Sequence, residues 1–180
     1  VTQISESVFL SCKQLKNVEF SSDSKLQIID KEAFAFSSIE SLSIPSCASE
    51  FRRGWAAGTP KLNRITIIQA KEKNVCYKDH LVIGKSDTKS GKYDVVIYAD
   101  RNIKTIKIPE DVKRIESYGF SCSNIENISI SKSVTEICES AFQCCEKLVH
   151  VEIPHNSRLQ IIGSYSFDSC PIQYIFIPSQ

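Results

Sequence analysis

Methionine is absent from the 180 residues, tryptophan occurs once, and glycine and proline six times each. So little glycine and proline excludes collagen-like chains and flexible Gly- or Pro-rich linkers. Charge of one sign is also missing: 22 Lys and Arg face 21 Asp and Glu, leaving +1 at pH 7. Bulk electrostatics therefore selects neither nucleic acid nor an anionic membrane surface as partner. No apolar run approaches the ~20 residues that a membrane-spanning helix needs, so no direct membrane insertion is expected of this segment. The opening VTQISESVFLSCKQL has no basic start followed by an apolar stretch, so it is not read as a signal peptide. With no initial Met, the chain is expected to begin inside a longer protein.

Motifs that carry chemistry are scarce too. No Cys-x-x-Cys, Gly-x-Ser-x-Gly, His-Glu-x-x-His or Gly-rich phosphate loop occurs. His80, His150 and His155 are not spaced with the cysteines as zinc ligands are. No metal, cofactor or catalytic residue is expected, and the chain is not read as an enzyme.

What is present is a soluble, foldable composition, 42% hydrophobic and 24% charged, with apolar residues enough for a core. Eight cysteines are many for this length, but stapled mini-domains are shorter and loop-rich. The dominant feature is repetition. VTEICESAFQCCEKLVHVEIP at 134–154 aligns with LQIIGSYSFDSCPIQYIFIP at 159–178, LQIIDKEAFAFSSIESLSIP at 26–45 and VKRIESYGFSCSNIENISI at 112–130. ISESVFLSCKQLKNVEF at 4–20 is a shortened unit, and 46–67 is a degenerate one with Trp55-Ala56 where Ala-Phe is expected. The same apolar position falls at Val18, Leu42, Ile65, Ile106, Ile128, Val151 and Ile175. The steps between these are 24, 23, 41, 22, 23 and 24 residues, so one insertion interrupts the period.

Each unit ends in L-x-x-V/I-x-I, often followed by Pro. Its alternation predicts a short strand with one buried face, which the Pro terminates. The V/L-x-x-I-x-x-x-A-F segment has the 3–4 spacing of one or two helical turns. A lone unit cannot bury its apolar face, but stacked units share a continuous core. The expected fold is an α/β repeat: one solenoid over 1–180, with repeats of about 22–25 residues in 4–67 and 102–178. A parallel sheet lines its concave side, and short helices or turns line the other.

The strings SxAFxxCxxLxxVxIP and IPxxVxxI resemble the BspA-like, or Treponema-type, leucine-rich repeat. The resemblance covers 4–67 and 102–178. It implies a binding solenoid of the kind found in surface proteins that attach to host proteins or other cells, and it is compatible with a hairpin insert. Residues 69–101 fit that role: NVCY, HLVIGK and YDVVIYA read as strands around the turn-rich SDTKSGK, forming a β-hairpin island too short for a core of its own.

Against this period, Cys12, Cys122, Cys145 and Cys170 share one core-facing repeat position. They are read as free, small hydrophobes. Cys144 lies at the turn surface, and Cys47, Cys76 and Cys138 match no other cysteine in register. Neighbouring rungs could bring two thiols within disulfide distance. His150 points outward beside the inward Val151, away from Cys145, so the pair does not form a Cys–His nucleophile. His155 falls in a loop. Asn127-Ile128-Ser129 is a glycosylation sequon placed inside a strand, which makes it a poor acceptor.

The outward positions of the strands are the binding candidates. One column reads Asn17, Ser41, Arg64, Thr105, Asn127, His150, Tyr174; the other contributes Lys107, Glu152 and Phe176. Exposed Arg and aromatics suit anchors of protein contacts. The expectation is a protein-binding module of an adhesin-like protein at the cell surface or outside the cell. Its partner would be a protein, such as a host or extracellular-matrix protein, and not nucleic acid. The alternative is a cytoplasmic scaffold on the same solenoid, which unpaired cysteines would suit.

Overall fold

The structure, a computed structural model, describes residues 1–178. The chain winds into rungs with two short strands each. The first rungs hold β1 (Gln3–Ile4) and β2 (Asn17–Val18), β3 (Ile28–Ile29) and β4 (Ser41–Pro45), β5 (Glu50–Phe51) and β6 (Arg64–Ile68). A meander follows, β7 (Val75–Lys78), β8 (Leu81–Gly84) and β9 (Val95–Ala99), and then β10 (Thr105–Lys107). The later rungs hold β11 (Arg114–Ile115) and β12 (Asn127–Ser129), β13 (Glu136–Ile137) and β14 (His150–Glu152), β15 (Ile161–Ile162) and β16 (Tyr174–Ile175).

Equivalent strands stack in parallel. The front of the solenoid carries the sheets β2-β4-β6 and β10-β12-β14-β16. The back carries β1-β3-β5 and the run β15-β13-β11-β9, which β8 and β7 extend antiparallel. The front strands are the L-x-x-V/I-x-I segments, in the register the period predicts: Ile128 lies opposite Val151, and Val151 opposite Ile175.

The expected short helices do not form; none occurs among the described residues. The V/L-x-x-I end of that segment is the back strand, and the segment through Ala-Phe is a chain of tight turns. Ala141, Gln143 and Cys145 donate their N–H three residues back, to Cys138, Ser140 and Phe142 carbonyls. Alternate residues Ser140, Phe142 and Cys144 donate instead to Ser164, Ser166 and Asp168 of the next rung. Consecutive i→i−3 turns give apolar residues the same 3–4 spacing as a helix, which is why the two were indistinguishable by period. The path needs two left-handed residues four apart in each rung: Ser7 and Ser11, Glu32 and Phe36, Gly54 and Gly58, Tyr118 and Cys122, Ser140 and Cys144, Tyr165 and Ser169.

Between the front and back sheets lies the core. Phenylalanines stack along it, Phe9 on Phe34 at 5.2 Å, Phe120 on Phe142 at 4.8 Å and Phe142 on Phe167 at 5.1 Å. Each such pair contributes about 0.5–1.5 kcal/mol beyond its buried area. The meander divides this core in two. Val82, Val95, Ile97 and Tyr98 pack into the N-terminal cluster with Leu42 and Trp55, whereas Leu81, Ile83, Val96 and Ala99 pack into the C-terminal cluster with Ile115 and Ile128. Both faces of β8 and β9 are buried along their whole length, as near-continuous apolar runs such as VVIYA allow.

The degenerate third rung is shaped for this partition. Phe34 N–H bonds to the Trp55 carbonyl, so Trp55-Ala56 stands in register with Ala33-Phe34. With Ala56 in the phenylalanine column, Tyr98 enters from the meander, 5.6 Å from the Trp55 ring. Arg101 follows, fully buried, its guanidinium 4.0 Å over the Tyr98 ring. It donates to the carbonyls of Ala56 before the insertion and of Tyr118 and Gly119 after it, at 3.5, 3.4 and 2.9 Å.

Candidate functional site: the front strand face

Strand alternation turns the sequence-derived columns outward. In the N-terminal half Asn17, Ser41 and Arg64 stand side by side, and in the C-terminal half Thr105, Asn127, His150 and Tyr174 do the same. Lys107 and Glu152 flank Ser129 in the second column. The two groups do not share a sheet, because β6 and β10 are not paired. The binding candidates thus form two adjoining fields rather than one continuous ladder.

The N-terminal field is small and polar. Ser41 Oγ donates to Asn17 Oδ1 at 2.6 Å, and a shallow hollow of about 670 Å³ is lined by Asn17, Glu19, Ser41, Ser43, Arg64 and Thr66. The C-terminal field is more apolar. A hollow of about 810 Å³ is lined by His150, Glu152, Pro154, His155, Tyr174 and Phe176. His155, in the loop after β14, rests against the Phe176 ring at 4.4 Å. Tyr174 is 76% exposed. Asn127 Nδ2 donates to Thr105 Oγ1 of the neighbouring strand at 3.4 Å, so the sequon asparagine is already engaged within the sheet. Lys107 pairs with Glu110 at 3.8 Å. Arg64, His150 and Glu152 make no ion pair among the described residues.

The thiols match the sequence reading with one correction. All eight are free. Cys12, Cys145 and Cys170 each follow their rung's phenylalanine by three, but Cys122 follows Phe120 by two. It occupies the left-handed position of Cys144, and Ser123 takes the core-facing place, 3.4 Å from Cys145 Sγ. Rungs differ by one residue between the phenylalanine and the next strand, so counting back from Ile125 gives the wrong column. Burial beside Glu116 and Glu136 pushes the Cys138 thiol up to about 12, making it a poor nucleophile at neutral pH.

One cluster escaped the sequence reading. Asp79 and His80 both take left-handed conformations in the two-residue turn between β7 and β8, the arrangement tight hairpins require. Tyr77 donates a short hydrogen bond to the buried Asp100 carboxylate, and His80 Nδ1 lies 2.9 Å from the same oxygen. Burial, then Asp100, raises the Tyr77 hydroxyl well above its ordinary range. The residues lie about 20 apart in sequence, without motif spacing. No serine, threonine or cysteine bonds His80 among the described residues, so no nucleophile is in place. Nor does any group of three His, Cys, Asp or Glu side chains there sit close enough to hold a metal ion.

Two parallel strands per rung, stacked on a leucine- and isoleucine-rich core, define a leucine-rich-repeat solenoid. The BspA-type leucine-rich repeat region matches the chain in six copies over residues 1–80 and 96–180, and the chain belongs to that family. The break at 81–95 falls on β8, the loop after it and the first residue of β9. Among solved structures, a leucine-rich cell surface protein from Faecalibacterium prausnitzii is 23% identical, with a TM-score of 0.84 over 99% of this chain and 45% of its own. The pneumococcal vaccine antigen PcpA is 23% identical, with a TM-score of 0.71 over 86% of this chain and 39% of its own. A leucine-rich repeat protein from Eubacterium ventriosum is 15% identical, with a TM-score of 0.60 over 95% of this chain and 68% of its own. This chain spans less than half the length of the first two. A comparison with curated proteins finds no match. Among the described residues no helix is long and apolar enough to cross a membrane.

Proposed function

We propose that this segment is a protein-binding part of a cell-surface, adhesin-like protein, and that its ligand lies against the front face. The carrying observation is the set of large side chains on the two front fields, Arg64 on the N-terminal sheet and His150, Glu152 and Tyr174 on the C-terminal sheet with Phe176 just beyond its last strand. Arg and Tyr dominate binding hot spots because each brings wide contact area and a directional polar group. A solenoid of short stacked strands moves little on binding, so the side chains pay a small ordering cost. We read the segment as non-catalytic. The cell-surface placement of one structural neighbour supports the cellular half of the proposal.

A photo-crosslinking amino acid placed at His150 should capture a protein from a panel of purified host extracellular-matrix proteins. The same group at Glu136 on the back face should capture none. Equal capture at both positions would refute a front-face site. The eight free thiols favour a second reading, an intracellular scaffold. Labelling intact source cells with a membrane-impermeant amine reagent separates the two: the surface reading expects the parent protein to be tagged before lysis, the scaffold reading only after.

A further inference from the structure

The densest group of nucleophilic side chains lies in the tight turns of three successive rungs, at Cys122, Cys144, Cys145 and Cys170. Cys145 and Cys170 are strictly equivalent. Each follows the core phenylalanine of its rung by three residues, and those rings, Phe142 and Phe167, stack 5.1 Å apart and 5° from parallel. The two turns are also joined in register by Phe142 N–H to the Ser166 carbonyl at 2.7 Å and Cys144 N–H to the Asp168 carbonyl at 2.9 Å. Both thiols are aimed at the preceding rung: Cys145 Sγ donates to the Phe120 carbonyl at 3.0 Å, and Cys170 Sγ to the Phe142 carbonyl at 3.2 Å. Cys170 is therefore turned toward Cys145. Parallel strands lie ~4.8 Å apart, inside the ~4.4–6.8 Å between Cα atoms that a disulfide spans. Cys145 is fully buried and Cys170 half-buried, so a reagent reaches the pair through Cys170.

We propose that Cys145 and Cys170 form a rung-to-rung redox staple, a dithiol that a low-molecular-weight disulfide of the glutathione class closes into an intramolecular disulfide. Cys170, the thiol a reagent can reach, passes its proton to the Cys145 thiolate and attacks one sulfur of the external disulfide. A mixed disulfide forms on Cys170 and one small thiolate leaves. The Cys145 thiolate, restored by loss of that proton, then attacks Cys170 Sγ, breaking the mixed S–S bond and expelling the second small thiolate. Two electrons pass from the protein pair to the reagent, and the two thiol protons end on the two released thiols. Each thiol shifts the other, Cys145 downward and Cys170 upward, so the pair holds one negative charge more readily than an isolated buried thiol would. The outermost strands β15 and β16 each have a neighbour on one side only among the described residues. The staple ties that rung, which carries Tyr174 and Phe176, to the rung before it.

The test treats the full chain with oxidised glutathione, alkylates the remaining thiols, digests without reduction and reads the peptides by mass spectrometry. The expected product is a Cys145–Cys170 cross-linked peptide, reversed by dithiothreitol, with a higher thermal midpoint than the reduced protein. Cys145→Ser and Cys170→Ser should each abolish both effects. They are expected to fold, because Ser37 and Ser123 already occupy this column. Three outcomes overturn the proposal: both cysteines alkylated after oxidation, a cross-link confined to Cys122 and Cys144, or glutathione retained on Cys170 with Cys145 free. A cross-link that leaves the midpoint unmoved overturns the stabilising role. These readouts do not depend on any ligand of the front face.

Discussion

Gly58 and Phe36 occupy the same left-handed column in adjacent rungs, which otherwise holds Ser11, Cys122, Cys144 and Ser169. A side chain on Gly58 would put its Cβ 2.5 Å from the Phe36 ring, which is itself 53% exposed. Gly58→Ala should therefore cost about 1–2 kcal/mol of left-handed strain plus the displacement of that ring. In a Phe36→Ala background only the strain remains, so urea denaturation of the two singles and the double should show a coupling above about 0.5 kcal/mol. Additive costs would contradict the contact. Phe142, stacked on both sides, should lose about 3–5 kcal/mol as Phe142→Ala. At this scale the sequence was informative wherever a residue repeats: the inward Val and Ile positions, the outward columns and the phenylalanines all follow from spacing. It was silent on Arg101 and Asp100, because each is defined by contacts with distant segments and neither recurs.

Single elements behave less uniformly. The loop between β8 and β9 is held at its far end by Asp94, whose carboxylate accepts from Ser86 N–H and Ser86 Oγ, both at 2.8 Å, and lies 3.8 Å from Lys113 Nζ. Burial alone would raise Asp94, but the two bonds from Ser86 and the charge of Lys113 outweigh it and hold the carboxyl below its ordinary value. A carboxylate depressed in the folded state contributes stability that is fully present above the unfolded value near 3.9. That contribution is lost as pH falls through the lower folded value. Asp94→Asn should accordingly flatten the loss of stability below about pH 4, compared with the native chain, and speed hydrogen exchange at Ser86. An unchanged acid limb in denaturation between pH 5 and 2 would contradict the assignment. The strands were readable as elements from alternation and bounding turns. The turn chain before each phenylalanine was not, since i→i−3 turns and helix share a period; only left-handed residues tell them apart, and here those are mostly Ser, Tyr, Cys and Phe rather than the glycine that would have signalled them.

For the molecule as a whole, the period revealed the solenoid, and the one 41-residue step located the insertion. It did not reveal that the insertion is a partition between two cores. The continuous apolar run of β9 implies burial on both sides, yet which rungs supply each side depends on tertiary packing. Arg101 joins those halves. Arg101→Ala should leave three carbonyls without their donor and a cavity against Tyr98, a loss of about 3 kcal/mol or more. It should also split a single urea transition into two, detected by Trp55 fluorescence preceding or lagging circular dichroism. Coincident transitions at unchanged midpoint would show that the halves are coupled by other contacts.

The central claim is that the front face, and not the rest of the solenoid, binds a protein. The most direct measurement compares the native chain with a variant carrying Arg64→Ala, His150→Ala, Tyr174→Ala and Phe176→Ala, in surface plasmon resonance against the extracellular-matrix protein captured by the crosslinking panel. The account predicts an affinity loss of at least a hundredfold, equivalent to about 2.7 kcal/mol, with the β-sheet circular dichroism unchanged. Undiminished binding by the folded variant would contradict it.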